Sequence, residues 1–408
     1  MRTRLLLALV TIILAWGQTR AQTRSISDAE VMRVHRSTLL IDTHNDVPSR
    51  TVEGFDIGTR SGTSAGTGHT DIARLKEGGV GAQFFAVYVA SSYVNGNHSA
   101  DRTLQMIDTV RHDIIGRYPD DFVLAASAKD IEDAHRRGKI AALMGIEGGH
   151  AIEDSLRLLR DYYDLGVRYM TLTHSNTNNW ADSSGDIDDP KVKHHNGLTD
   201  FGKQVVREMN RLGMMVDISH VADKTFWDAL EVSKAPIFAS HSSCRALTNH
   251  ARNMTDDMIV ALAKKCGVVQ VNFYCGFISQ KFRDNDAADT KALDARMAKE
   301  TAGKNLSEPD RQILSEKLRK EMGLSRATLA DVVDHIDHIR KIAGIDAIGI
   351  GGDFDGVSCT PVGLEDVSKY PNLTRALLEK GYSPEDIRKI YGGNFLRVMR
   401  AVEAAAGK

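Results

Sequence analysis

The chain has 408 residues and a formal net charge of −2, with 42% hydrophobic and 26% charged residues. This composition is typical of a soluble globular protein and gives no electrostatic support for binding nucleic acid. Division of the length would suggest two or three domains, but α/β barrels often run this long as one domain.

The N-terminus has the pattern of a secretory signal peptide. Arg2 and Arg4 precede a twelve-residue apolar stretch over 5–16, and small residues follow where a signal peptidase could cut. The stretch is shorter than the roughly 20 residues needed to span a membrane. We therefore predict that 1–21 are removed, that 22–408 form a single catalytic domain, and that the protein is exported to the periplasm or the medium without a membrane anchor.

Eight near-continuous apolar runs alternate with helical patterns along the rest of the chain. Runs of this kind are typical of parallel strands that are buried on both faces. The predicted strands cover 38–44, 81–89, 139–147, 167–174, 214–220, 236–242, 267–273 and 347–355. Eight strands that alternate with helices indicate a (β/α)8 TIM-type barrel, with a doubly wound open sheet as the alternative fold.

Helical segments lie between most of the predicted strands. Apolar residues recur at helical spacing over 104–115 and 256–265, and Ser27 with Glu30 forms a capping-box pattern that opens a helix before the first strand. A charged segment from about 281 to 326 is predicted to be a solvent-exposed helical insert before the last strand.

Residues that can bind metals or transfer protons occur at six of the eight predicted strand ends. They are His44 and Asp46 after the first strand, Glu147 after the third, His174 after the fourth, His220 after the fifth, His241 after the sixth and Asp353 after the eighth. A single histidine is more often structural, but six strand ends in phase are hard to explain by core packing. Barrel active sites lie at the C-terminal ends of the strands, so these side chains are expected to share one mouth.

Histidines and carboxylates together suit a divalent cation, and zinc is the first choice. The set contains more ligands than one catalytic zinc needs. This favours a two-metal site with a bridging carboxylate and a bridging water, which zinc can convert to hydroxide near neutral pH.

Several short segments also match a known family in order and at compatible spacing. They are IDTHNDVP, GIEGGH, LTHSNTN, DISHV, SHSSCRAL, NHARNMTDD, IGIGGDFDGV and PVGLEDVSKYP, spread over about 27–400. Together they resemble the membrane (renal-type) dipeptidases, peptidase family M19. The resemblance implies a barrel of the metallo-dependent hydrolase type, a binuclear zinc dipeptidase and a homodimer.

The resemblance also implies which residues bind the two zinc ions. His44 and Asp46 would bind one ion, and His220 and His241 would bind the other. Glu147 would bridge both ions together with a water or hydroxide.

The same resemblance implies that three further residues act on the dipeptide substrate. His174 would contact the substrate and the developing oxyanion, and Arg252, in the loop after the sixth strand, would hold the substrate's carboxylate. Asp353 would contact the substrate and carry a proton from the attacking water to the leaving amine.

Two other functions fit parts of the pattern. Barrel amidohydrolases that act on cyclic amides or lactams often place His-x-His on the first strand and use a carbamylated lysine as the bridge. Here the first strand ends in His44 and Asp46, and the bridge candidate is Glu147. A non-catalytic binding protein on a decayed barrel would have lost ligands or Asp353, and the sequence retains them all.

The resemblance is incomplete at two points. The C-terminus, AVEAAAGK, has no hydrophobic tail of the kind that precedes a GPI anchor, and the cysteine positions do not clearly match those of the animal members. Cysteines of an exported protein can pair, but the spacing of Cys244, Cys266, Cys275 and Cys359 assigns no bridge.

Overall fold

The computed structural model describes residues 26–60, 68–302 and 308–407. The parallel sheet in these ranges has the strand order β1-β2-β4-β5-β6-β7-β8-β9, and β3 pairs with β4 outside this path. The strands are β1 Leu40–Asn45, β2 Val80–Tyr88, β3 Phe122–Leu124, β4 Ile140–Glu147, β5 Val167–Thr171, β6 Met215–Asp217, β7 Phe238–Ser242, β8 Val268–Val271 and β9 Ile348–Ile350.

The sheet closes into a barrel where the segment after β9 meets the end of β1. The Asp353 N–H donates to the His44 carbonyl over 3.1 Å, and the Asp46 N–H donates to the Phe354 carbonyl over 2.8 Å. An open sheet would leave these edges apart. The predicted (β/α)8 barrel is therefore confirmed, and the doubly wound alternative is wrong.

Helices separate most of the strands, as this fold requires. In the described ranges the α-helices are α1 Asp28–Arg36, α2 Val47–Thr51, α3 Ile72–Glu77, α4 Ser99–Asp108, α5 Ala128–Arg136, α6 Leu156–Asp164, α7 Asp200–Leu212, α8 Asp223–Val232, α9 Asp256–Lys264, α10 Cys275–Ile278, α11 Gln280–Thr301, α12 Glu308–Glu321, α13 Leu329–Ala343, α14 Tyr370–Glu379, α15 Pro384–Arg388 and α16 Asn394–Ala405. No helix within those ranges combines the length and apolarity needed to cross a bilayer.

Side-chain caps define where many of these helices begin. In each case a Ser, Thr or Asp side chain accepts a hydrogen bond from a backbone N–H of the first turn, which would otherwise lack a partner. The residues are Ser27, Asp71, Ser127, Ser155, Thr199, Thr255, Ser279 and Ser383. The predicted cap at Ser27 is one of them, with 3.2 Å between its Oγ and the Glu30 nitrogen.

The predicted strands are all present, but several are shorter than their apolar runs. The run over 347–355 contributes only three residues to β9, because the chain then leaves the ladder and enters two left-handed positions at Asp353 and Asp355. The short strand β3 was missed because three residues are too few for a periodicity to show. The predicted charged insert corresponds to α11 and α12, and 303–307 within it lie outside the described residues.

The barrel interior is packed by aromatic side chains and covered at one end by α16. The ring of Phe395 lies 5.3 Å from that of Phe84 and 6.0 Å from that of Phe238, and Tyr169 lies 5.1 Å from Phe84. All four side chains are buried. A cavity of about 500 Å³ lies at the C-terminal ends of the strands.

Candidate metal and active site

All four predicted site histidines converge on one carboxylate oxygen. Glu147 Oε1 lies 3.0 Å from His220 Nε2, 3.3 Å from His241 Nε2, 3.5 Å from His44 Nε2 and 3.9 Å from His174 Nε2. Glu147 ends β4, and each histidine ends or follows a different strand, so barrel closure brings together residues that are far apart in the sequence.

The two aspartates lie on the β1 side of this cluster. His44 Nε2 lies 3.2 Å from Asp46 Oδ2 and 4.0 Å from Asp353 Oδ1. Three groups of possible metal ligands, each with its ligand atoms within 4.8 Å of one another, are His44–Glu147–His241, Glu147–His174–His220 and His44–Asp46–Asp353. Glu147 and His44 each belong to two groups, so the groups form one continuous cluster.

Hydrogen bonding at Nδ1 orients His44 so that its Nε2 faces the centre of the cluster. Tyr169 donates its hydroxyl hydrogen to the Thr43 carbonyl over 3.1 Å, so its oxygen accepts from His44 Nδ1 over 2.8 Å. His44 Nε2 then faces the carboxylates of Asp46 and Glu147. Burial alone would lower the pKa of His44, but Tyr169, Glu147 and Asp46 outweigh it and raise that pKa well above its usual value. In the side-chain cluster by itself Nε2 therefore favours a proton, and a bound metal ion would take the place of that proton.

His241 is oriented by hydrogen bonds that run through Ser240 to the carboxylate of Asp217. Ser240 Oγ donates to Asp217 Oδ2 over 2.6 Å and accepts from His241 Nδ1 over 2.7 Å. Asp217 is fully buried and also accepts the backbone N–H groups of Ser219 and Ser240. A metal-binding histidine commonly donates its other N–H toward a carboxylate in this way. The donor set therefore fits a metal centre at both histidines.

Two site residues occupy a backbone conformation that is rare outside glycine. The φ angle is +65° at His220 and +60° at Asp353. Such positions cluster at functional sites because the surrounding structure must hold them. At His220 the holding contacts come from Ser183 and Ser184, whose hydroxyls donate to its carbonyl over 3.2 and 2.9 Å.

The environment separates the proton affinities of the two carboxylates. Burial raises the pKa of Asp353 to about 8, and the negative charges of Asp46 and Glu147 act in the same direction. Burial alone would also raise the pKa of Glu147, but nearby histidines, His44 and His174 foremost, outweigh it and hold that pKa well below its usual range. In the side-chain cluster by itself, Glu147 thus stays ionised as a ligand, whereas Asp353 can accept and donate a proton near neutrality.

Arg252 is buried beside the cluster. Its Nη1 donates to Ser242 Oγ over 3.2 Å and its Nη2 donates to the His241 carbonyl over 3.0 Å, while Nε has no hydrogen-bond partner among the described residues. Burial lowers the pKa of Arg252 to about 10, so the guanidinium stays charged at neutral pH. A charged guanidinium with a free N–H suits a carboxylate ligand.

The cavity brings the metal cluster next to an aromatic wall. Asp46, Glu147, His174, His220 and Asp353 line one part of it, and the remainder includes Tyr88, Tyr274, Phe277, Val357 and Ser358. The His174 side chain is 19% exposed against 5% for Glu147, so His174 lies nearer the opening. About 500 Å³ is enough for a small organic ligand.

Sequence reasoning missed several residues that support the site. Tyr169, Ser240 and Asp217 orient the histidines, and Asn272 Nδ2 donates to Asp353 Oδ2 over 2.8 Å. A signal existed for Asp217 and Ser240, which lie three residues before His220 and one before His241. Tyr88 and Asn272 lie at the two predicted strand ends that have no metal-ligand or acid–base residue. A search restricted to those residue types therefore does not find them.

Comparison with known proteins identifies relatives of this chain. A family model described as membrane dipeptidase (peptidase family M19) matches residues 28–408. The crystal structure of the probable dipeptidase PvdM from Pseudomonas aeruginosa is 25% identical, with a TM-score of 0.75 over 93% of this chain and 99% of that one. A dipeptidase of family M19 is 26% identical, with a TM-score of 0.71 over 91% and 99%.

A third structure carries a ligand. It is a metallopeptidase from Rhodobacter sphaeroides, liganded with a phosphinate mimic of the dipeptide L-Ala-D-Ala. It is 25% identical to this chain, with a TM-score of 0.70 over 90% of this chain and 99% of that one.

Proposed function

This chain belongs to the membrane dipeptidase family, peptidase family M19, and from that premise we propose that it hydrolyses dipeptides with two zinc ions per chain. The family is one of metal-dependent peptidases. The observation that carries the proposal is the position of Glu147 Oε1, 3.0–3.5 Å from the Nε2 atoms of His44, His220 and His241. One carboxylate shared by imidazoles from three strands is suited to bridge two cations.

The proposed metal ligands divide between the two sides of Glu147. His44 and Asp46 would hold one zinc ion, and His220 and His241 would hold the other, with Glu147 and a water or hydroxide bridging both. When bound, the ions would supply a hydroxide nucleophile near neutral pH and polarise the peptide carbonyl.

The remaining residues bind the substrate and move the proton. Asp353, held by Asn272, accepts the proton of the attacking water and passes it to the leaving amine. His174, at the opening of the cavity, donates a hydrogen bond to the developing oxyanion. Arg252 pairs with the free carboxylate, which lies close to the scissile bond only in a short substrate.

The ligand of the Rhodobacter sphaeroides relative supports a choice of first substrates. That metallopeptidase was crystallised with a phosphinate mimic of L-Ala-D-Ala. We propose that small dipeptides, including those with a D-residue at the C-terminus, are accepted by this chain as well. The cavity volume of about 500 Å³ agrees with substrates of this size.

A panel of substrates with purified, zinc-loaded protein tests this function. Dipeptides should be hydrolysed, whereas tripeptides and dipeptide amides should be much poorer substrates. Cyclic amides and lactams form the second arm of the panel. Turnover in that arm without turnover of any dipeptide would replace the proposal with a barrel amidohydrolase.

We also propose that the protein is exported and that 1–21, which lie outside the described residues, are its signal peptide. The Cys275–Cys359 disulfide supports export, because disulfides persist in oxidising compartments. The intact mass of protein from its native compartment should lack about the first 21 residues. A full-length mass in the membrane fraction would contradict this. The homodimer stays a prediction, which light scattering can test.

A further inference from the structure

A disulfide joins two of the segments that line the cavity. It connects Cys275 and Cys359, which are 84 residues apart in the sequence. Cys275 opens α10 in the segment after β8, and Cys359 lies in the segment after β9. Tyr274 and Phe277 flank Cys275 and line the cavity, as do Val357 and Ser358 before Cys359. The bridge thus lies directly behind the wall of the substrate cavity.

The segment around α10 is held by tertiary contacts, including the burial of Ile278 and the 3.2 Å contact of its carbonyl with His335 Nε2, rather than by hydrogen bonds within the helix. Helix α10 has four residues, too few to be stable by its own hydrogen bonds. Asn253 Nδ2 donates to the Phe277 carbonyl over 2.8 Å, and the Cys275 N–H donates to the Cys359 carbonyl over 3.3 Å. The disulfide is the covalent tie among these contacts.

The same segment contacts one residue that the proposed function places in the reaction, Arg252, and is linked to a second, Asp353, through Asn272. The ring centre of Phe277 lies 5.2 Å from the guanidinium carbon of Arg252, which is within cation–π distance. Asn272 accepts the Tyr274 N–H over 2.5 Å and donates to Asp353 over 2.8 Å. A shift of α10 would therefore be transmitted to Arg252 through Phe277.

We propose that the Cys275–Cys359 disulfide is a positioning element for substrate recognition, which holds Phe277 against Arg252 so that the guanidinium meets the dipeptide's carboxylate. This inference rests on the proposed function for the role of Arg252. A disulfide that closes a long loop also stabilises the fold by constraining the unfolded chain. The two roles differ in what they change, because stabilisation alone leaves the Michaelis constant of the folded enzyme unaltered.

The test compares the zinc-loaded wild type with the double variant Cys275→Ser/Cys359→Ser, at a temperature where both are folded. We expect KM for a dipeptide to rise about 10- to 100-fold, since weakening the guanidinium–carboxylate contact should cost less than the roughly 30- to several-thousand-fold expected when one partner is removed. We expect kcat to change much less and zinc content to stay the same. The preference for the dipeptide over its amide should fall by the same factor as kcat/KM. Cys266→Ser, at an exposed free cysteine, is the matched control and should behave as the wild type.

A second variant tests the path through Phe277. Phe277→Ala should raise KM by itself, and combining it with the cysteine pair should add little, because both changes release the same contact. An unchanged KM in the folded cysteine variant would overturn the proposal, and so would a loss of zinc, which would place the effect at the metals.

If the cysteine variant does not fold, the folded wild type can be treated with a phosphine reductant instead. Mass spectrometry follows the reduction, and KM is compared before and after it. A wild type that does not hydrolyse dipeptides would remove the proposed function and this inference together.

Discussion

The two sides of the cavity are held in place by different means. On one side, Glu147 and His220 lie at or just past the ends of β4 and β6, where the parallel ladder fixes the backbone. On the other side, Tyr274 and Phe277 lie on a short segment that is tied by the Cys275–Cys359 disulfide. The first is an arrangement of strand ends, and the second is an arrangement of loops.

This difference matches the proposed division between chemistry and substrate recognition. Ligands at strand ends stay in register with one another because a shift of one would disturb the whole ladder. Loops can carry different side chains without disturbing the barrel, which lets the substrate preference vary over an unchanged metal cluster. Changes on the metal side should therefore abolish the reaction, and changes on the loop side should alter which molecules are accepted.

The largest effect is expected on the metal side, from Glu147→Gln. An amide is a weaker ligand than a carboxylate, and Glu147 would serve both ions, so both should be lost together. Metal analysis should find clearly fewer than two zinc per chain, and activity should fall by more than the 10²–10⁴-fold typical of an acid–base residue. Glu379→Gln, exposed on α14, is the matched control. Two retained ions with normal turnover would show that Glu147 is not the bridge.

Asp353→Asn should separate proton transfer from metal binding. We expect full zinc content and a kcat lowered about 10²–10⁴-fold, because the amide cannot accept the proton of the attacking water. Asp355→Asn is the control two residues away, since Asp355 shares the left-handed backbone but its Oδ1 accepts from Arg50 Nη1 and the His69 N–H. Loss of turnover in the Asp355 variant alone would move the role to that residue.

Arg252→Met should affect recognition and leave the metals in place. Removing one partner of a buried charge pair costs roughly 2–5 kcal/mol, or about 30- to several-thousand-fold in kcat/KM. Amidating the dipeptide should cost the wild type a similar factor and should cost the variant little more. If the two penalties simply multiply, the guanidinium and the carboxylate do not meet, and another residue reads the carboxylate.

The sequence predicted which side chains cluster around Glu147 far better than it predicted the wall of the cavity that contains Tyr274 and Phe277. Apolar runs gave the strands, and the residue types at their ends identified His44, Glu147 and the other members of the cluster, because both signals are local. The pairing of Cys275 with Cys359 is not a local signal, since it depends on how the segments after β8 and β9 approach each other in space. The contact between Phe277 and Arg252 was unpredictable for the same reason.

For some supporting residues the sequence shows a polar side chain in a strand but does not show what that side chain contacts. Asp217 and Tyr169 both lie inside strands, where polar side chains are expected to pack or to pair. Only the folded barrel shows that Asp217 reaches His241 through Ser240, whereas Tyr169 contacts His44 directly. One histidine is thus coupled to a carboxylate and the other to a neutral phenol.

This asymmetry leads to the smallest predicted effect. A carboxylate makes its histidine a stronger ligand than a phenol does, and outer partners of this kind are typically worth 10–100-fold in metal affinity. Asp217→Asn should lower zinc affinity within that range, and Tyr169→Phe should lower it less, both measured by competition with a chelator. If the two residues serve different ions, the free-energy losses should add in the double variant to within about 0.3–0.5 kcal/mol. A strong departure from additivity would mean that His44 and His241 bind the same ion. The distances permit this, because the ligand atoms of His44, Glu147 and His241 all lie within 4.8 Å of one another. The proposed division of ligands into His44–Asp46 and His220–His241 would then be wrong, even with two zinc ions bound.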